Sequence, residues 1–252
     1  MDRCSPTPGC RPLSEPNPPI ARRRAPRGRG GELRGEILQA AMSLLQETGD
    51  EAAVSVRGVA QRVGVSVPSL YLHFADKQAL IDAVCEQVFE ALHQSMRAAA
   101  AGASDPFAAL RAQGNAYVHF ALANPEHYRI VMMTCHDGRP PVADTTSAGT
   151  AFGYLVDSVR ACIGAGVYRG DPVELALGLW AAAHGAAALL IAKLQFSWPD
   201  VEAFVDRTIC MAGLGLAVTE RVGTGSAVPL PDLVAALDAL ATNLAAATEP
   251  AG

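Results

Sequence analysis

The sequence predicts an all-α protein in two parts: a small N-terminal three-helix part that carries a helix-turn-helix, and a larger C-terminal helical part. Three observations predict it. Half of the 252 residues are hydrophobic, enough to bury a core, but aromatics make up only 6% and strand-forming runs are scarce. After about residue 31, apolar residues recur at three- and four-residue spacing. Asp-Pro, Asn-Pro and Pro-Asp pairs at 105–106, 124–125, 171–172 and 199–200 read as helix starts.

Residues 1–30 are rich in Pro, Gly and Arg, with almost no large apolar side chains, so they are expected to be a disordered basic arm. Arg22, Arg23, Arg24, Arg27 and Arg29 give that arm its charge. The first helix is expected over about 32–47, with Leu33, Ile37, Ala41, Leu44 and Leu45 on one face and Thr48-Gly49 as its end. Ser55 caps a short second helix whose Val56, Val59, Ala60 and Val63 point inward, and Gly64 ends it. Ser66 caps the third. Pro68 then falls in a first turn, where no intrahelical partner awaits the missing N–H, so the proline opens this helix.

Asp76 can cap a long helix to about residue 100, with Ile81, Val84, Cys85, Val88, Phe89, Leu92 and Met96 as its stripe. Further helices are expected over 106–123, 125–133, 145–163, 172–195 and 200–222. Residues 137–144 and 223–231 read as loop and linker, before a last Ala/Leu helix. The organisation is an arm (1–30), a helix-turn-helix part (31–80), a larger helical part (81–222) and a linker with a C-terminal helix (223–252).

The net charge of -5 hides an asymmetry. Residues 1–80 hold eleven Lys/Arg against eight Asp/Glu; residues 81–252 hold nine against seventeen. A basic nucleic-acid-facing end on an acidic body has this distribution. Cys4, Cys10, Cys85, Cys135, Cys162 and Cys210 are scattered without a C-x-x-C pair, which argues against a disulfide framework or a zinc site. Cys135, beside His136, is a minor redox candidate. The N-terminus has prolines and arginines where a signal peptide needs an apolar run, so a cytoplasmic location is expected. The apolar stretch 175–192 is long enough to span a membrane, but it is mostly Ala and Gly with His184 at its middle; it reads as a buried helix.

Two short helices, a glycine in the turn and the small Ala60 at their crossing describe a helix-turn-helix, with Val59, Val65 and Leu70 filling the space between. A recognition helix turns its first residues toward base edges. Val67 and Pro68 offer apolar contact suited to thymine methyls, and Ser69 can donate or accept. Tyr71, His73 and Lys77 can meet phosphates, Arg57 a phosphate or a guanine, and the amides behind Ser55 and Ser66 favour anions. Read on these residues alone, Tyr71 and His73 could equally be half-exposed members of a small bundle.

The arrangement Ser55-Val-Arg, Val59-Ala60, Val63-Gly64-Val65-Ser66, Leu70-Tyr71, His73-Phe74 and Lys77 resembles the DNA-binding domain of the TetR/AcrR family, over about residues 31–80. The resemblance implies an all-helical homodimer. Its N-terminal helices bind a double-stranded operator, and its C-terminal domain dimerises and holds a small-molecule inducer. By motif position it gives phosphate contacts to Ser55, Tyr71, His73 and Lys77, and base contacts to Val67, Pro68 and Ser69. Pro68 stands where many members have glycine. Trp180, His184 and Gly185 are similar to the Trp-x-x-x-His-Gly signature of one C-terminal subtype, as is the segment "NPEHYRIVMM" at 124–133. His184 is then a ligand contact or a satisfied core histidine.

An apolar pocket is expected among the helices of the larger part, with Tyr117, His119, Trp180 and His184 as its candidates and Gln113 and Asn115 as further polar groups. The expected partners are operator DNA, a small apolar ligand and a second copy, with no membrane, cofactor or metal. No nucleophile, phosphate-loop or metal pattern points to an enzyme. A helical interaction module that has lost DNA binding is the alternative reading, and a small helical enzyme a more distant one.

Overall fold

The structure, a computed structural model, describes residues 30–49, 54–133, 146–198, 200–222, 232, 234–240 and 242. The arm, Cys4, Cys10, Cys135, His136, the 137–144 loop and the 223–231 linker lie outside the described residues. All regular structure among the described residues is helical: α1 Gly30–Thr48, α2 Val56–Val63, α3 Val67–Tyr71, α4 Lys77–Ala100, α5 Pro106–Ala123, α6 Pro125–Met133, α7 Thr146–Gly164, α8 Pro172–Ala192 and α9 Val201–Val222. Residues 234–240 are helical too.

Aspartates set many of the starts. Asp76 accepts the Ala79 amide at 2.7 Å, Asp105 that of Ala108 at 2.8 Å and Asp200 that of Ala203 at 2.9 Å. Asp171 takes both Val173 and Glu174 at the head of α8, ahead of Pro172. The far end of α8 departs from expectation: it stops at Ala192, not near Gln195. There the Trp198 indole donates to the Lys193 carbonyl at 3.1 Å, and Phe196, Trp198 and Phe204 stack in sequence to turn the chain.

The described residues fall into two compact units, one of those up to residue 88 with 124–133, the other of 89–123 with those from 146 onward; the chain passes between them within α4. In the first, Ile37, Leu38, Ala41 and Leu45 of α1 are buried, as are Leu80, Ile81, Val84 and Cys85 of α4. Gly49, with φ 64°, closes α1 by donating to Leu45 O. A Cβ there would stand 2.9 Å from a Glu126 carboxylate oxygen. The chain returns to this unit as α6, where buried His127 donates to Met42 O at 3.0 Å.

In the second unit α5 packs against α7, α8 and α9. Leu110, Val156, Val159, Cys162, Tyr168, Leu175 and Ala176 form one buried cluster. Burial pushes the Cys162 thiol up to about 11, so it is a packing group with little thiolate. Gly114 lets α5 approach α9: a Cβ there would come 2.8 Å from Ile209. Among the described residues one helix, α8, is long and apolar enough to cross a membrane by length and composition, yet seven of its residues, among them Leu175, Ala183 and Ile191, are buried in this unit.

Candidate nucleic-acid interface and ligand cavity

The α2–α3 pair is held by local geometry. Ser55 Oγ accepts the Gly58 amide at 3.0 Å and Ser66 Oγ that of Ser69 at 3.3 Å. Gly64 takes φ 75°, and the Gly64 and Val65 amides both reach Ala60 O. That left-handed residue makes so short a turn possible. Val59, Ala60, Leu70 and Phe74 are buried between the helices, while Val65 is half-buried. Two side chains bind this arrangement to α1: Arg62 forms a bidentate pair with Glu47 at 2.7 Å, and the Arg34 guanidinium lies 4.9 Å from the Phe74 ring centre. Arg62 is therefore engaged within the fold, and it holds the Glu47 carboxyl below the ordinary carboxylate range.

The outward face is distinct. Ser55, Arg57, Ser66, Pro68 and Tyr71 are exposed; Val67, Ser69, His73 and Lys77 are half-buried. Pro68, Tyr71 and Leu72 stand at i, i+3 and i+4, so one side of α3 presents two apolar groups and a phenol. The Ser69 hydroxyl lies 2.8 Å from that of Ser66, which turns it toward the cap and away from an outside partner. Leu72, 84% exposed, was missed by the sequence reading. Its signal was an apolar residue between Tyr71 and His73, on neither the Leu70 nor the Phe74 side of the helix.

In the second unit a cavity runs between α5, α7, α8 and α9. It is narrow, with a volume of about 50 Å³. Its walls are apolar, from Phe107, Leu110, Leu179, Ala183, Ile209 and their neighbours. Of the four sequence candidates, Tyr117 and Trp180 line it. The Trp180 indole donates to Tyr117 Oη at 3.1 Å, which leaves the phenol hydrogen for His184 Nδ1 at 3.3 Å. Burial lowers the His184 pKa, consistent with a neutral ring that accepts that hydrogen. His184 thus sits behind the wall.

His119 does not line the cavity. It pairs with Glu202 at 2.7 Å on the part-exposed side of α5. Gln113 and Asn115 also turn elsewhere, to Ser158 and Asp206. Gly185 makes no close helix contact: a Cβ built there meets nothing within 4 Å. The reading missed Arg111, which does line the cavity. Arg111 follows Phe107 by four residues and precedes Gly114 by three, so periodicity alone would have placed it on their face of α5. A second, more open cleft is lined by His93, Arg97, Asp105, Tyr154 and Asp157 among others, and is the more polar of the two.

Comparisons with known proteins fall on both regions. A family model described as "Bacterial regulatory proteins, tetR family" matches residues 37–84. A second, described as "Tetracyclin repressor-like, C-terminal domain", matches residues 110–212. The HTH-type transcriptional activator FasR of Mycolicibacterium smegmatis is 32% identical over 136 residues, 54% of this chain and 62% of that protein. The tetracycline repressor protein class A from transposon 1721, of Escherichia coli, is 29% identical over 138 residues, 55% and 57% of the two chains. These alignments span less than two thirds of either curated relative. Among solved structures, a protein with unknown function from Rhodococcus sp. RHA1 is 30% identical with a TM-score of 0.63, covering 73% of this chain and 95% of that one.

Proposed function

The chain belongs to the TetR family of bacterial regulatory proteins, and from that premise we propose a ligand-responsive, homodimeric, cytoplasmic repressor that a small apolar molecule releases from a palindromic operator. The observation that carries DNA binding is the exposed Pro68–Tyr71–Leu72 face of α3, set on a serine-capped helix pair. In this reading Val67, Pro68 and Ser69 meet base edges, with Ser69 hampered by its bond to Ser66. Ser55, Arg57, Tyr71, His73 and Lys77 meet phosphates, with the capped amides behind Ser55 and Ser66. The apolar cavity is the inducer site.

Two elements support the dimer. Leu177, Gly178 and Ala181 are exposed on one side of α8, with half-buried Gly185 on the same side, and Met211, Leu214, Gly215 and Val218 share one exposed side of α9. Such faces, with small residues among large ones, suit a two-fold four-helix contact. We read the chain as a regulator, not as an enzyme.

A transcriptional fusion to the DNA upstream of the chain's own gene tests the proposal, together with a gel shift of that DNA. Repression predicts lower expression with the chain present and a retarded band. Higher expression would make the chain an activator, as FasR is named. A band that does not shift and expression that does not change would remove this promoter as a target. Linkage adds a requirement: an inducer that weakens operator binding must itself be weakened by operator to the same factor, typically about 1–3 kcal/mol of coupling.

A further inference from the structure

The chemistry of the cavity wall is divided between its interior and its mouth. Among the lining residues Arg111 alone carries a formal charge, and it alone is exposed, so its guanidinium marks the opening. Everything deeper is apolar or, like the Trp180 indole and the Tyr168 hydroxyl, already bonded to a protein acceptor. Arg111 reaches across to α9, donating through Nε and Nη2 to both carboxylate oxygens of Asp206. Asp206 is not part of the lining, and it also accepts from Asn115 at 3.1 Å. What a bound molecule meets on leaving the apolar interior is therefore an ion pair whose cationic half alone belongs to the lining. Asp206 is part-exposed, so water can solvate its carboxylate once Arg111 releases it.

We propose that this cavity takes an anionic amphiphile, with its apolar chain among Phe107, Leu179, Trp180 and Ile209 and its carboxylate on Arg111 in place of Asp206. The proposal rests on the reading of the cavity as the ligand site. A planar guanidinium suits a carboxylate through two parallel hydrogen bonds, and it is more weakly hydrated than an ammonium, so the exchange preserves the bidentate geometry. It also loosens the tie between α5 and α9. The narrow interior must widen to admit a chain, and releasing Asp206 removes one of the contacts that hold the two helices together.

Calorimetric titration of the full chain with decanoate, 1-decanol and decyltrimethylammonium tests this. These probes share an apolar chain and differ in head-group charge. Decanoate should bind severalfold more tightly than decanol, less than a newly added charge-assisted contact would give, because the contact to part-exposed Asp206 is exchanged for it. The ammonium compound should bind most weakly. Arg111→Met should abolish the preference for decanoate and leave decanol binding in place. Asp206→Asn gives an independent readout: with its standing competitor neutralised, Arg111 should bind decanoate more tightly, while decanol is unaffected. Equal binding of decanoate and decanol, or a preference that survives Arg111→Met, overturns the anionic assignment and leaves the cavity as a neutral site. Failure of all three probes to bind overturns the cavity itself as a site for apolar chains of this size.

Discussion

Tyr71 follows the buried Leu70 at the end of α3, with half of its surface exposed. Its ring can be kept while its hydroxyl is removed. Tyr71→Phe is expected to weaken operator binding by about 1 kcal/mol, roughly fivefold, as for one lost hydrogen bond to a charged acceptor. The melting temperature should stay put; a lower melting temperature with unchanged affinity would make Tyr71 a packing residue. His184 carries a pH prediction. Burial holds its pKa below the ordinary 6.5, so between those two values the unfolded chain binds the proton and the folded one does not. Stability from this group is complete above about pH 6.5 and is lost as pH falls toward the folded value. His184→Gln should flatten that acid limb in thermal melts, and an unaltered limb would contradict a neutral, Tyr117-bonded ring. At this scale Tyr117 and Trp180, large side chains on apolar faces, are the sequence candidates that line the cavity. The sequence was misleading for His119, because a histidine's type does not say which side of α5 faces inward; Glu202, far away in sequence, decides that.

The helix pair α2–α3 depends on one backbone conformation. Gly64 sits at φ 75°, where a side chain costs about 1–2 kcal/mol, and nothing else ends α2 so sharply. Gly64→Ala should lower stability by about that amount, read by chemical denaturation. An unchanged midpoint would mean that the turn tolerates another geometry. Helix starts were legible because a capping aspartate or serine and its amide are near neighbours in sequence: Asp76, Asp105, Asp171 and Asp200 all bond two or three residues ahead. The end of α8 was not. It is fixed by Trp198 folding back on Lys193, an interaction that helical periodicity does not encode. The return of α6 to α1 was equally hidden, since it depends on His127 meeting a main-chain carbonyl 85 positions earlier.

For the molecule as a whole, the exposed faces of α8 and α9 predict a two-fold dimer. Met211, at 66% exposed, and Leu214, at 50%, lie one helical turn apart on α9. Light scattering should find a dimer at micromolar concentration. Met211→Glu with Leu214→Glu should give a helical monomer, and a parent chain that is already monomeric would contradict this reading. The charge changes sign along the chain, basic before residue 80 and acidic after it, but it gives no sign that α6 packs with the N-terminal helices. The surface of the acidic part proposed for a second copy is marked in the sequence only by unusual apolarity in two helices, since periodicity cannot tell a core stripe from an interface stripe.

Operator recognition by the α3 face is the central claim, and selection from a randomised duplex library by the full-length chain tests it most directly. The account predicts an inverted repeat whose half-sites are about 34–36 Å apart, or somewhat more, centre to centre. It also predicts that Tyr71→Phe binds that repeat more weakly than the parent chain. Failure to enrich any duplex, or enrichment of a site without two-fold symmetry, would contradict it.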